Sequence, residues 1–169
     1  MKTYLTLDVG GSSIKYALIQ DDSTILEKSS VPTPMDTMDH FVETIGEIYD
    51  QYKDNIAGMA ISMPGIIDPQ KGYAFTGGAL KYISKMNIVD ILKERCPINI
   101  TIGNDAKCAA NAEIGYGNLQ DIQDGAVVIL GTGIGGCLIK DHQVHTGKHF
   151  SAGEFSFVKT NCLDGIGWN

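Results

Sequence analysis

Short segments with apolar residues are separated by polar, turn-like residues along the first thirty positions, a pattern typical of successive strands. Three strands are predicted, joined by two short turns rich in Gly, Asp and Ser, over residues 4–9, 14–19 and 24–30. Strands connected by such short turns run antiparallel. The chain is therefore expected to begin with an antiparallel meander.

The pattern then changes to helical spacing. Apolar residues recur every three or four positions at Met38, Phe41, Val42, Ile45, Ile48, Tyr49 and Tyr52. Asp36 or Thr37 can cap this predicted helix. The apolar strand 57–63 follows and stops at Pro64. A strand, a helix and another strand in this order predict a parallel crossover.

A second helix followed by a strand is predicted further along the chain. Asn87 opens the predicted helix over 88–94, and the predicted strand covers 98–102. A helix of small residues is expected from Asp105 to the polar loop 115–118, which we interpret as a lobe boundary. Beyond it, a second glycine-rich turn at 131–136 separates two predicted strands, 126–130 and 137–140. A strand, glycine turn and strand thus occur twice, which suggests two similar lobes.

Composition narrows the function classes. The 169 residues are 43% hydrophobic and 20% charged, with a net charge of −7, as in a soluble globular protein that does not bind nucleic acid or anionic membranes. No signal peptide or long apolar run is present, so we expect a cytoplasmic protein. The four cysteines form no C-x-x-C pair and are expected to be reduced. The final residues lack a closing helix, and we expect a chain that is cut short.

The first turn carries candidate chemistry. Asp8 closes an apolar strand, where acids are depleted. Gly10 and Gly11 are expected to adopt positive φ and let a ligand approach the backbone, while Ser12 adds a hydroxyl and Lys15 a positive charge. These residues favour a site for metal-bound phosphate. An ordinary hairpin that happens to contain Gly-Gly is the alternative.

Other motifs are less specific. Residues 131–136 fit G-x-G-x-x-G, but a strand is predicted after them instead of the helix that a dinucleotide site requires. Asp105, at a strand end and helix start, is a helix cap or a ligand-facing carboxylate. Together with Asp8 and two glycine turns, it favours phosphoryl transfer with Asp105 as base. His145 and His149 are expected on an exposed loop, without metal.

Four motifs in order give a resemblance to the ROK family of sugar kinases, which covers nearly the whole chain. They are D-x-G-G-[TS]-x-x-K at 8–15, [SA]-x-P-G-x-[IV]-D at 62–68, N-D-A at 104–106 and G-T-G-I-G-G at 131–136. The resemblance implies an α/β, ribonuclease H-like (actin-like ATPase) lobe over 1–118, with a mixed sheet flanked by helices. The start of a second similar lobe would occupy 119–169.

The resemblance also implies the roles of single residues. Asp105 would be the catalytic base for transfer from ATP to a hexose hydroxyl, most often the 6-hydroxyl. The implied sugar contacts are Asn104, Asp105, Glu154, Gly65 and Gly78. The implied ATP phosphate contacts are Asp8, Gly10, Gly11, Ser12, Lys15, Thr132 and Gly133, with Asp8 also orienting Mg²⁺. The acceptor could be glucose, mannose, a 2-acetamido sugar or a β-glucoside, and a homodimer is left open.

One departure from the family pattern concerns zinc. Phe157 stands where the family has a zinc-binding His that also contacts sugar, and Cys162 preserves at best one of three zinc thiolates. We therefore expect no zinc of the family type. The substitution also keeps a non-catalytic sugar-binding protein among the alternatives. The family's sugar-sensing repressors, which carry an N-terminal winged helix, and an actin-like filament protein are the other rivals.

Overall fold

The computed structural model describes residues 1–131 and 133–158, and the chain divides into two compact units between Asp105 and Ala106. Eleven strands, three α-helices and one 3₁₀ helix follow one another within the described residues. They are β1 (Thr3–Val9), β2 (Ser13–Gln20), β3 (Ile25–Pro32), α1 (Met38–Tyr52), β4 (Gly58–Met63), β5 (Ile67–Asp68), β6 (Tyr73–Thr76), β7 (Ser84–Asn87), α2 (Ile88–Arg95), β8 (Ile100–Asn104), α3 (Asp105–Tyr116), β9 (Gly125–Leu130), β10 (Ile134–Lys140), β11 (Gln143–His145) and the 3₁₀ helix Phe155–Phe157.

The first unit is built on a five-stranded mixed sheet in the order β3-β2-β1-β4-β8. β1, β2 and β3 pair antiparallel, whereas β1, β4 and β8 are parallel. The predicted meander and crossover are both confirmed. Thr37 is the cap of α1, since its hydroxyl accepts a hydrogen bond from the His40 N–H at 3.2 Å. The apolar stripe of α1 is buried in the same core as the sheet, through Phe41, Ile45 and Ile48.

A second, three-stranded antiparallel sheet of β5, β6 and β7 lies in the first unit, and the sequence did not predict it. Its strands are only two to four residues long, too short for periodicity to show. Leu80 and Ile83, in the connection between β6 and β7, are buried. This small sheet therefore anchors the segment 77–80, which carries one of the candidate sugar contacts.

The second unit contains the antiparallel sheet β11-β10-β9. The predicted glycine turn 131–136 is too long, because β10 begins at Ile134 and so includes Gly135 and Gly136. A side chain at Gly136 would collide with the ring of Phe155, which explains a glycine inside a strand. The lobe boundary at residue 118 stays a prediction, since a compact unit need not be a lobe.

The two histidines expected on a loop differ in their positions. His145 is the last residue of β11, which corrects the loop expectation, whereas His149 lies in a turn. Both are exposed. Of the cysteines, Cys96 and Cys137 are buried, and burial raises the pKa of the Cys96 thiol to about 11. In the part of the chain that the structure describes, no helix combines the length and apolarity needed to cross a membrane.

Candidate functional site

The parallel strands of the first unit bring the candidate carboxylates to one edge of the sheet. Asp8 on β1 is in register with Ser62 on β4, and Ser62 with Gly103 on β8. Because neighbouring strands lie about 4.8 Å apart, the backbones of Asp8 and Gly103 are about 10 Å apart. Asp105 follows two residues later, at the start of α3. The two carboxylates thus share the carboxyl edge of the parallel strands, the usual position of ligands in such sheets.

Asp8 is exposed, and its carboxylate accepts a hydrogen bond from the neighbouring strand β4. The Ser62 hydroxyl donates a hydrogen bond to Asp8 Oδ1 at 3.0 Å. No described residue donates a hydrogen bond to Asp8 Oδ2. On the other side, Lys15 is the antiparallel partner of Asp8 on β2. An oriented carboxylate next to a lysine is suited to phosphate with a bound divalent cation.

The turn after β1 has a different conformation from the one expected. Neither Gly10 nor Gly11 has a φ in the left-handed region, so the predicted positive φ is wrong at both positions. Val9 pairs with Ile14, which leaves a four-residue connection, and such connections do not need the positive φ of two-residue hairpins. Glycine at position 10 avoids a tight contact, since a Cβ there would lie 3.1 Å from the Ser13 carbonyl oxygen.

Thr33, a residue that the sequence did not single out, stabilises this turn through two hydrogen bonds. Its hydroxyl donates to the Gly10 carbonyl oxygen at 2.7 Å, and its N–H donates to the Ser12 carbonyl oxygen at 3.1 Å. Thr33 is buried, whereas Gly11 and Ser12 are exposed. The turn is therefore exposed at Gly11 and Ser12 and is fixed by hydrogen bonds to a buried residue.

The candidate sugar side consists of two loops packed backbone against backbone. Gly65 has φ +109°, and a Cβ there would collide with the Thr76 carbonyl oxygen. Gly78 has φ +61°, and its Cβ would lie 2.9 Å from Pro64 Cβ. The Ile66 N–H also donates to the Thr76 hydroxyl at 3.1 Å. Both glycines are thus needed for this close approach, whatever else they contact.

Asn104 connects one of these loops to the candidate base. It is 4% exposed, and its Nδ2 donates to the Gly65 carbonyl oxygen at 3.0 Å and to Asp105 Oδ1 at 2.9 Å. Asp105 itself is exposed. The arrangement gives an accessible carboxylate whose orientation is fixed by a buried amide.

In the second unit, the glycine turn between β9 and β10 is open. The Gly131 N–H donates to the Gly133 carbonyl oxygen at 3.0 Å, and no described atom would lie within 4 Å of a Cβ on Gly133. Gly133 is exposed. Thr132, the other candidate phosphate contact here, lies outside the described residues.

Glu154, the remaining candidate sugar contact, belongs to a segment packed on β10. Gly153 has φ +70°, and a Cβ there would be 2.5 Å from the Leu138 nitrogen. Glu154 is half-buried, and its Oε1 accepts a hydrogen bond from the Ser156 N–H at 3.3 Å. Phe157, which replaces the family His, is 71% exposed. Cys162 lies outside the described residues.

Within residues 1–131 and 133–158, no three His, Cys, Asp or Glu side chains come close enough together to hold a metal ion. The absence does not bear on Mg²⁺, which proteins commonly hold with one or two carboxylates, the remaining ligands being water and substrate phosphates. The zinc expectation stays a prediction because the described residues do not include Cys162.

Comparison with known proteins decides the family. The sequence model of the ROK family matches residues 4–163. The chain belongs to the ROK family. Its relatives include a beta-glucoside kinase from Klebsiella pneumoniae, 30% identical over 91% of this chain and 52% of that protein. An N-acetyl-D-glucosamine kinase from Photobacterium profundum is 32% identical over 92% of this chain and 52% of that protein.

A solved ROK structure supports the fold. The crystal structure of a ROK family protein from Streptococcus pneumoniae in complex with sucrose is 29% identical to the chain and superimposes with a TM-score of 0.78. The alignment covers 95% of this chain and 53% of that protein. The mixed sheet with helices is therefore the ROK, actin-like ATPase fold. The chain spans about half the length of the curated relatives that it matches.

Proposed function

We propose that the protein transfers the γ-phosphoryl group of ATP to a hydroxyl of a hexose or hexose derivative. Membership of the ROK family and kinase relatives support the reaction class. The observation that carries the proposal is the pair of exposed carboxylates, Asp8 and Asp105, on one edge of the sheet. Two separate carboxylates suit a reaction in which one holds the metal ion of the phosphates and the other accepts the proton of the acceptor hydroxyl.

Asp105 is the proposed base. Asn104 donates to one of its oxygens, so the carboxylate is oriented while it stays exposed to an incoming sugar. It would accept the proton of the hydroxyl as that oxygen bonds to phosphorus and the bond between γ-phosphorus and the ADP oxygen breaks. A positioned base of this kind contributes about 10²–10⁴-fold to the rate.

The proposed phosphate contacts lie in both units. In the first, the exposed turn offers the Gly10–Ser12 backbone and the Ser12 hydroxyl, with Lys15 beside Asp8. In the second, Thr132 and Gly133 are the proposed phosphate contacts. Asp8 would hold Mg²⁺, since the residue is exposed and one carboxylate is sufficient for an ion shared with phosphates. When bound, Mg²⁺ neutralises charge on the transferred group.

The proposed acceptor is a hexose or a hexose derivative: glucose, mannose, a 2-acetamido sugar or a β-glucoside. The kinase relatives are named for a beta-glucoside and for N-acetyl-D-glucosamine, and the ROK protein from Streptococcus pneumoniae was solved with sucrose. Gly65, Gly78, Asn104 and Glu154 remain the proposed sugar contacts. The 6-hydroxyl as the reacting group rests on the family resemblance alone, and a cytoplasmic location stays a proposal.

The test is ADP release by the complete natural protein with Mg-ATP and a panel of hexoses, 2-acetamido hexoses and β-glucosides. Asp105→Asn should lower kcat by about 10²–10⁴-fold. Asp90→Asn is the matched control, because Asp90 is another exposed acid in the first turn of a helix. Saturable sugar binding without turnover in the wild type would refute the kinase proposal and favour a non-catalytic sugar-binding or sugar-sensing protein.

A further inference from the structure

The phosphate turn after β1 depends on a contact with the end of β3. Thr33 comes directly after β3 and uses both of its donors on this turn, the hydroxyl on the Gly10 carbonyl oxygen at 2.7 Å and the N–H on the Ser12 carbonyl oxygen at 3.1 Å. Its side chain is 7% exposed. A buried hydroxyl this close to a carbonyl oxygen forms a well-directed bond that water cannot easily replace.

The bond to Gly10 also fixes a neighbouring donor. In a trans peptide the C=O of one residue and the N–H of the next point in opposite directions, and the described chain contains no cis peptide. Because the Gly10 C=O is directed to the buried Thr33, the Gly11 N–H must be directed away from it. Gly11 is exposed, so that N–H faces solvent at the turn.

We infer that Thr33 is a positioning residue for nucleotide binding, which fixes the turn so that the Gly11 N–H is presented to an ATP phosphate. The inference rests on the proposed function. Thr33 itself touches no phosphate in this scheme and acts only through the peptide that it orients. A preorganised N–H binds an anion without first losing conformational freedom, which is why the fixed turn favours affinity.

The decisive variant is Thr33→Val, which has nearly the same shape and keeps the backbone N–H but removes the hydroxyl. Loss of this bond should raise the Kd for a non-hydrolysable ATP analogue with Mg²⁺, and the KM for ATP, by about three- to tenfold. The KM for sugar should not change. Thr33→Ser, which keeps the hydroxyl, should restore nucleotide affinity to within about twofold of the wild type by the same reasoning.

Thr6→Val is the matched control. The Thr6 hydroxyl also donates to a carbonyl oxygen in the same sheet, that of Ala17 at 3.1 Å, but in the middle of β1 and away from the turn. The control should lose stability without losing nucleotide affinity. A selective loss of nucleotide affinity in Thr33→Val therefore cannot come from a general weakening of the sheet.

The outcomes separate this inference from the proposed function. Equal nucleotide affinity in Thr33→Val and Thr6→Val, or an equal loss of sugar and nucleotide affinity in Thr33→Val, overturns the positioning role even if the wild type is an active kinase. A wild type that binds the ATP analogue but phosphorylates no sugar overturns the kinase proposal, and the binding comparison still decides the role of Thr33. Thr33→Ala replaces the valine variant if the latter does not fold, with the same expected result.

Discussion

Asn104→Ala tests the connection between the Gly65 loop and the candidate base. The substitution removes the donor of two hydrogen bonds, one to the Gly65 carbonyl oxygen and one to Asp105 Oδ1. A part-buried carbonyl that loses its partner costs about 1–2 kcal/mol. The bond to Asp105 adds about 1 kcal/mol, less than the roughly 1.5–3 kcal/mol of a hydrogen bond to a charged group, because water can reach the exposed carboxylate. The expected loss in the free energy of unfolding is therefore about 2–3 kcal/mol.

For a protein of this size, that loss lowers the melting temperature by roughly 4–12 °C. Thermal unfolding followed by circular dichroism measures it. Asn99→Ala is the control, since Asn99 is an exposed residue just before β8 and the structure assigns no hydrogen bond to its side chain within the described residues. Surface substitutions of that kind change stability by less than about 0.5 kcal/mol.

The same variant has an expected effect on the reaction. Asp105 would lose the donor that orients it, so kcat should fall while the KM for ATP changes little. Equal melting temperatures for Asn104→Ala and Asn99→Ala would show that the two bonds contribute nothing to stability. Unchanged kcat would show that Asp105 needs no orientation by Asn104, and either result would refute the corresponding part of the reasoning.

Two further predictions concern stability alone. Gly65→Ala should lower the free energy of unfolding, measured by urea denaturation, by more than about 3 kcal/mol, because the new Cβ meets the Thr76 carbonyl oxygen at a positive φ. A variant as stable as the wild type would contradict the close packing of the two loops. Arg95 lowers the pKa of Glu43 and of Asp50, chiefly through the hydrogen bonds that it donates to them. The interaction of Arg95 with the two ionised carboxylates stabilises the fold above their unfolded pKa values, and this stabilisation is lost as pH falls through the lowered folded values. The difference in melting temperature between wild type and Arg95→Gln should therefore be larger at pH 7 than below about pH 4. A difference independent of pH would contradict the prediction.

Periodicity predicted much of the first unit because α1, β1 and β2 each bury residues on one face, whereas β3 is almost wholly exposed. The stripe of α1 and the alternation of β1 and β2 follow directly from which side meets the core. The helix starts were also readable, since Thr37 and Asn87 accept hydrogen bonds from N–H groups only three residues ahead. Local interactions of this kind leave a clear signal in the sequence.

What the sequence did not reveal depends on contacts between distant residues. Thr33 lies 23 residues from Gly10, and no local pattern links them. The short strands β5, β6 and β7 are similar, because they owe their form to packing and not to their own periodicity. The sequence predicts the turn at Gly10 and Gly11, but the φ of these residues depends on the length of the connection, which the strand register fixes.

The loops of the first unit form a continuous series of contacts from the phosphate turn to the candidate base. A Cβ at Gly11 would be 3.8 Å from Ala79 Cβ, and Gly78 packs against the loop that contains Gly65. The Gly65 carbonyl in turn accepts a hydrogen bond from Asn104, which orients the base. Only the contact between the Gly65 and Gly78 loops leaves no space for a Cβ, so a side chain in either loop must displace the other, whereas the contact at Gly11 is an ordinary van der Waals distance. The proposed phosphate and sugar sides are therefore joined by a series of loop contacts, and the closest of these requires glycine at positions 65 and 78.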